Sequence, residues 1–216
     1  MVALSDDLFD TIECDAARTG DHRRAALRMT HLAETASDAG DMSRAEAYMR
    51  AGEQWLLADE PAVAADGFRR AMADGGPTFA DPRVALARAL VALGRGGEAG
   101  ALIRELDAES AAGKRDPRTC DLVAELLAEQ GDLPGALRWA TAGAEECVRR
   151  GDQAELRLLL SLRYRIRNDL GLQEDDYDRL LDRLTDGAGA VPARGGEPSG
   201  PAVPPGPPVI PLRYSP

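Results

Sequence analysis

The sequence predicts an all-α chain of about ten helices, stacked as an α-solenoid of antiparallel helix pairs, and three observations predict it. Apolar residues recur at helical spacing over residues 5–185 almost without interruption. Each periodic stretch ends at a breaker such as Gly-Asp, Asp-Pro or Gly-Gly-Pro. One spacing of small and large residues returns three times along the chain. No strand-period segment of any length competes with this reading.

The elements follow in order. Ser5 caps a first helix with Leu8, Phe9, Ile12 and Ala16 on one face, ended by Gly20-Asp21. A second carries Ala25, Met29, Leu32 and Ala36 and ends at Gly40-Asp41. A third spans about 42–58 with Tyr48, Ala51, Gly52, Trp55 and Leu56. Pro61 suits the first turn of a fourth, where a missing N–H costs nothing; that helix holds Ala64, Phe68 and Ala71 before Gly75-Gly76-Pro77. The fifth follows Asp81-Pro82 and holds Leu86, Ala87, Leu90 and Leu93; the sixth starts near Gly97 with Ala99, Leu102, Ile103 and Leu106. After a looser stretch at 111–115, the seventh follows Asp116-Pro117 with Leu122, Val123, Leu126 and Leu127. The eighth has Pro134 in its first turn and Ala136, Leu137, Ala140 and Val148 on its apolar face. The ninth covers about 153–170. The tenth opens on Glu174, Asp175 and Asp176, carboxylates that suit a helix N-terminus, and aligns Tyr177, Leu180, Leu181 and Leu184.

At Gly187 the composition changes. Nine of the fourteen prolines lie in 187–216, with many glycines. This segment is expected to be non-helical, a disordered tail leaning to polyproline II, so the domains are read as 1–186 helical and 187–216 tail. Pro198, Pro201, Pro204 and Pro207 give overlapping P-x-x-P spacings, and Val209-Ile210-Pro211-Leu212-Arg213-Tyr214 is apolar enough to be a recognition peptide. A spacer without a partner is the simpler alternative.

Three helix pairs share their spacing. Gly52 is followed by Trp55, Ala64, Phe68 and Ala71; Ala87 by Leu90, Ala99, Ile103 and Leu106; Ala124 by Leu127, Ala136, Ala140 and Gly143. Gly94 and Gly131 take the same turn position. Small residues let two helices approach, and large ones fill the space between one pair and the next. The pattern resembles the tetratricopeptide repeat. Tyr48, Gly52, Trp55, Ala64, Phe68, Ala71 and Pro77 fall where that family puts its aromatic, small and turn residues. The second and third sets have Arg83 and Cys120 in place of Tyr48. A degenerate fourth copy (Phe9, Ile12, Gly20, Ala25, Met29, Leu32) precedes them, and Gly40-Asp41 with Ala45 allow another phase. The resemblance covers roughly residues 6–150, and 153–185 departs from it as a terminal cap. Residues 158–178 are also similar to the end of bacterial repeat proteins that carry a SecA-C-type zinc motif. The Cys/His cluster that motif needs is missing, so no zinc role is carried over.

Composition limits the function classes. The net charge of −11 disfavours nucleic acid and anionic lipid as partners, and no apolar run approaches a membrane span. Cys14, Cys120 and Cys147 are odd in number and far apart; they imply no disulfide framework, suit a reducing cytoplasm, and read as buried small residues. The N-terminus lacks the features of a signal peptide. Gly94-Arg95-Gly96-Gly97 has no following Lys-Ser/Thr and reads as a turn, and His22 and His31 lack partners at zinc spacing. Neither a cofactor nor a metal is expected. The carboxylate groups Glu145-Glu146 and Glu174-Asp175-Asp176 are explained by solvated helix faces and helix dipoles. Arg163 and Arg167 share a helix face, read as solvated and ion-paired ahead of a phosphate or acidic-peptide site. Tyr48 and Trp55 read as packing between helix pairs.

In tetratricopeptide arrays the first helix of each pair lines a concave groove. The resemblance implies a groove here that includes Asp10, Met49, Glu53, Val84, Arg88, Asp121 and Glu125. Chaperone-binding members of the family hold a terminal carboxylate with Lys and Asn. Asp10, Met49, Val84 and Asp121 stand at those positions, so acidic chaperone tails are not expected ligands. The expected function is a cytoplasmic, non-enzymatic interaction module or adaptor for a basic or amphipathic protein segment, with self-association open. The alternatives are a ligand- or peptide-sensing regulator and a helical enzyme without a recognisable motif.

Overall fold

The computed structural model describes residues 3–35, 40–111, 113 and 116–189, and within them the chain is all-helical. Ten helices follow one another: α1 Asp6–Thr19, α2 His22–Thr35, α3 Arg44–Leu57, α4 Pro61–Asp74, α5 Pro82–Ala92, α6 Gly96–Ala111, α7 Pro117–Glu129, α8 Leu133–Arg150, α9 Gln153–Asp169 and α10 Asp176–Gly189. Ala36 and residues 190–216 lie outside the described residues.

Local chemistry sets the starts and stops. The side chains of Ser5, Ser43, Asp81, Asp116, Asp132 and Asp152 accept hydrogen bonds from backbone N–H groups of the first turns of α1, α3, α5, α7, α8 and α9. Pro61, Pro82, Pro117 and Pro134 occupy first turns. The turns after α5 and α7 use Gly94 and Gly131 at φ +72° and +81°. The same repeat position after α3 is Asp59, at φ +59°, the one non-glycine residue there in the left-handed region among the described residues.

Helices pack mainly on their neighbours in sequence, and α1, α3, α5, α7 and α9 also touch in succession. At the α6–α7 junction, α7 joins largely through α5: Leu126 belongs to the core of α2–α6, while Val84 and Leu106 belong to that of α7–α9. Three close approaches explain the small residues. A Cβ on Gly52 would lie 2.4 Å from the Phe68 ring, and one on Gly143 would lie 2.8 Å from Cys120 Cβ and 2.9 Å from a Leu159 methyl. Ala64, Ala87, Ala124, Ala136 and Ala140 are wholly buried. Trp55 is buried, its indole N–H donating to Thr30 Oγ1 at 3.3 Å, and Tyr48 bridges the first two core clusters.

Several expectations are corrected. Helix α10 runs to Gly189, past the boundary set at Gly187, because the first proline beyond it is Pro192 and composition alone marked the glycines. Val148 is exposed; Trp139, Ala144 and Cys147 join Ala136 and Ala140 on the buried face of α8. Cys14 is exposed, and only Cys120 and Cys147 are buried. Glu146 is not on a solvated face: it is 3% exposed and ion-paired with Arg149 and with Arg150, the latter at 2.5 Å.

The Arg163–Arg167 face is buried too. Arg163 pairs with Asp175 at 2.5 Å, donates to Thr141 Oγ1 at 3.0 Å and stacks over Tyr177. Arg167 pairs with Asp178 at 3.0 Å and Asp175 at 2.8 Å. This network ties α9 to α10, and its carboxylates occupy the cations that a phosphate would need. Hydrogen bonds from Arg163 hold Asp175 down at about 2. No helix among the described residues is long and apolar enough to cross a membrane.

Candidate binding groove

The row of odd-numbered helices positions the groove. Met49 and Val84 stand at the same repeat position on α3 and α5, and Glu53 and Arg88 one turn further along. All four line one cavity of about 400 Å³ between those helices. Met49 and Val84 are buried and make its floor with Leu56, Ala85 and Leu122. Phe79, in the α4–α5 loop, is 64% exposed and forms a wall. Its backbone N–H donates to Glu46 at 2.8 Å, and the Arg118 guanidinium stacks 3.8 Å from its ring centroid. Ser43, which caps α3, donates to the Pro77 carbonyl at 2.5 Å, so the loop is pinned across the start of α3.

The charges along this face are unevenly paired. Arg50 is fully engaged: it reaches Glu13 at 2.6 Å, Asp10 at 2.5 Å and Asp6 at 3.4 Å. Asp10 therefore serves to dock α1 on α3, and Asp6 and Glu13 are the α1 residues that reach the cavity. Arg88 lies only loosely against Glu125 and Glu129, at 3.8 and 3.7 Å, and its buried Nε has no hydrogen-bond partner among the described residues. Glu53 has no ion pair among them.

Glu53 is exposed to water, on the concave face between α3 and α5. Partial desolvation there, with Glu46 and Glu13 nearby, pushes its carboxyl up to about 7 against the opposing pull of Arg50 and Arg88. Asp121 on α7 is half-buried and raised to about 6, first by desolvation, then by Glu125 and Glu155. Glu53 in the cavity and Asp121 on α7 are thus two carboxylates without an ion pair among the described residues.

Of the seven residues expected in the groove, Met49, Glu53, Val84 and Arg88 line the cavity, Glu125 lies 3.8 Å from Arg88, Asp121 stands on α7 outside the cavity lining, and Asp10 is turned to Arg50. Sequence reasoning missed Arg50, Ala85 and Leu122, which share one repeat position, and Glu46, Asp81 and Arg118, which share another. Stepping three residues back from Glu53, Arg88 and Glu125, and from Met49, Val84 and Asp121, finds both sets. Phe79 carried no periodic signal, being in a loop. His22 Nδ1 lies 2.9 Å from Gln54 Oε1, a contact between α2 and α3. Comparison of the chain with protein-family models, with curated proteins and with solved structures returns no match.

Proposed function

We propose that the chain is a tetratricopeptide-like α-solenoid whose odd-numbered helices line a groove that binds a cationic, partly apolar segment of another protein. The succession of contacts from α1 to α9 through odd-numbered helices supports the array reading, since the first helices of stacked pairs meet in that way. The observation that carries the binding reading is Glu53: a carboxylate without an ion pair, beside an apolar floor and the unsatisfied Arg88 Nε. A Lys or Arg side chain compensates Glu53, an apolar neighbour covers Met49 and Phe79, and a backbone carbonyl accepts from Arg88. The role is that of an adaptor without catalysis.

The test titrates the full chain with a fluorescent amphipathic peptide of Lys and Leu, and with its Glu and Leu counterpart, followed by anisotropy. The cationic peptide binds and the acidic one does not. Glu53→Gln weakens binding about tenfold, the loss expected for one charge-assisted hydrogen bond. Glu105→Gln, which removes an equal charge from exposed α6, changes it by less than about twofold. Equal binding of the acidic peptide, or equal loss in both variants, contradicts the proposal.

A further inference from the structure

The α3–α5 cavity sets three conditions on an occupant: a cation for Glu53, an acceptor for Arg88 Nε, and apolar cover for Met49 and the exposed Phe79. Residues 209–214 of the same chain satisfy all three, their backbone carbonyls offering the acceptor. Arg213 supplies the cation. Val209, Ile210, Leu212 and Tyr214 supply apolar groups on either side of it. Pro211 removes one backbone N–H that would otherwise need a partner. Charge favours the pairing: residues 190–216 contain Arg194 and Arg213 against the single carboxylate side chain of Glu197, in a chain of net charge −11.

The connection is long enough. From α10 the packing runs to α9, then α7, then α5. Three steps of about 10 Å between packed helices place the cavity roughly 30 Å from α10. The residues from 190 to 209 span up to about 60 Å at about 3.1 Å each for a proline-rich chain.

Building on the groove reading above, we infer that residues 209–214 dock in the α3–α5 cavity of their own molecule, with Arg213 against Glu53. The segment is an internal competitor: a partner binds by displacing it. Tethering gives the segment an effective concentration of order 1 mM. With an intrinsic dissociation constant of about 0.1 mM it fills about nine-tenths of the cavities, and its removal raises the affinity for a free peptide about tenfold.

The experiment places the photo-crosslinking residue p-benzoylphenylalanine at Tyr214 of the full chain and maps the adducts by mass spectrometry. The expected adducts fall on α3 and the Phe79 loop, Met49 foremost, in a yield independent of protein dilution and several-fold lower in Glu53→Gln. Absence of adducts, adducts centred on Val148 and Tyr177 at the α8–α10 end, yields that fall on dilution, or yields untouched by Glu53→Gln each overturn the inference.

Arg213→Glu in the full chain, titrated with the Lys/Leu peptide, separates the two readings. An affinity about tenfold higher than wild type supports the internal competitor. Equal binding to both chains refutes it while the groove reading stands. No binding to either chain refutes the groove reading itself.

Discussion

Gly52→Ala adds one methyl at the closest approach of α3 and α4. The new Cβ would lie 2.4 Å from Phe68 Cε1 and 2.8 Å from Cδ1 and Cζ, so the ring must move by about 1 Å. Phe68 is wholly buried and borders the α3–α5 cavity, so its ring shifts either against packed neighbours or into the groove. Overpacking of this kind costs about 1–3 kcal/mol, and three ring atoms in conflict put this case near the upper end. Replacing a helical glycine returns about 1 kcal/mol, leaving a net loss of about 2 kcal/mol. Gly67, on the facing helix, is the control: its Cβ would meet nothing nearer than the Tyr48 carbonyl oxygen at 3.5 Å. Gly67→Ala therefore gains up to about 1 kcal/mol. The two chemically identical changes should separate in Tm by roughly 6–12 °C in a chain of this size, measured by circular dichroism. Adding Phe68→Leu to Gly52→Ala should recover part of the loss, as a double-mutant cycle with favourable coupling. A Gly52→Ala chain as stable as wild type would refute the claim that the small residue exists to admit Phe68.

Other outcomes follow from single observations. Asp59→Gly should raise stability by about 0.5–1 kcal/mol in chemical denaturation, since Asp59 holds the left-handed turn that Gly94 and Gly131 hold elsewhere. Asp178→Asn should leave Arg163 and Arg167 short of a buried carboxylate and cost about 3–5 kcal/mol, visible as faster amide exchange in α10. Asp175, held at about 2 against an ordinary 3.8, contributes stability that is present above pH 3.8 and lost as pH falls from there to about 2; Asp175→Asn should flatten acid unfolding in that window. Glu53 has the opposite sign. Its folded carboxyl holds the proton more tightly than the unfolded one, so stability falls as pH rises from 4.5 to about 7, and Glu53→Gln should remove that slope.

The helices were legible because their signals are local. Caps such as Ser5, Asp116 and Asp132, first-turn prolines and terminal glycines act within one turn of chain, and they place the element starts closely. The repeat spacing identified the buried alanines and the Gly52–Phe68 approach, since close packing leaves no freedom in side-chain size. What was not legible depends on contacts distant in sequence. Helical spacing puts Arg163 and Arg167 on one face without saying that Asp175 and Asp178 fold over it. Glu146 reads as a surface residue until Arg149 and Arg150 close around it. In the groove, Met49, Glu53, Val84 and Arg88 were implied by the resemblance to a repeat family, whereas Phe79 enters through a loop held by Glu46 and Ser43, for which periodicity has no term.

The central claim is that Glu53 awaits a cation. Carbon-13 NMR of its side-chain carboxyl, titrated with pH in the full chain with and without saturating Lys/Leu peptide, tests it most directly, with Glu53→Gln supplying the assignment. The account predicts a midpoint near 7 without peptide, if the cavity stands open, and one displaced downward to the extent that Arg213 fills it. In Arg213→Glu, which keeps the cavity open, the midpoint falls towards the ordinary 4.5 when the peptide's ammonium groups bind. A midpoint that the peptide leaves unchanged in Arg213→Glu would contradict the claim.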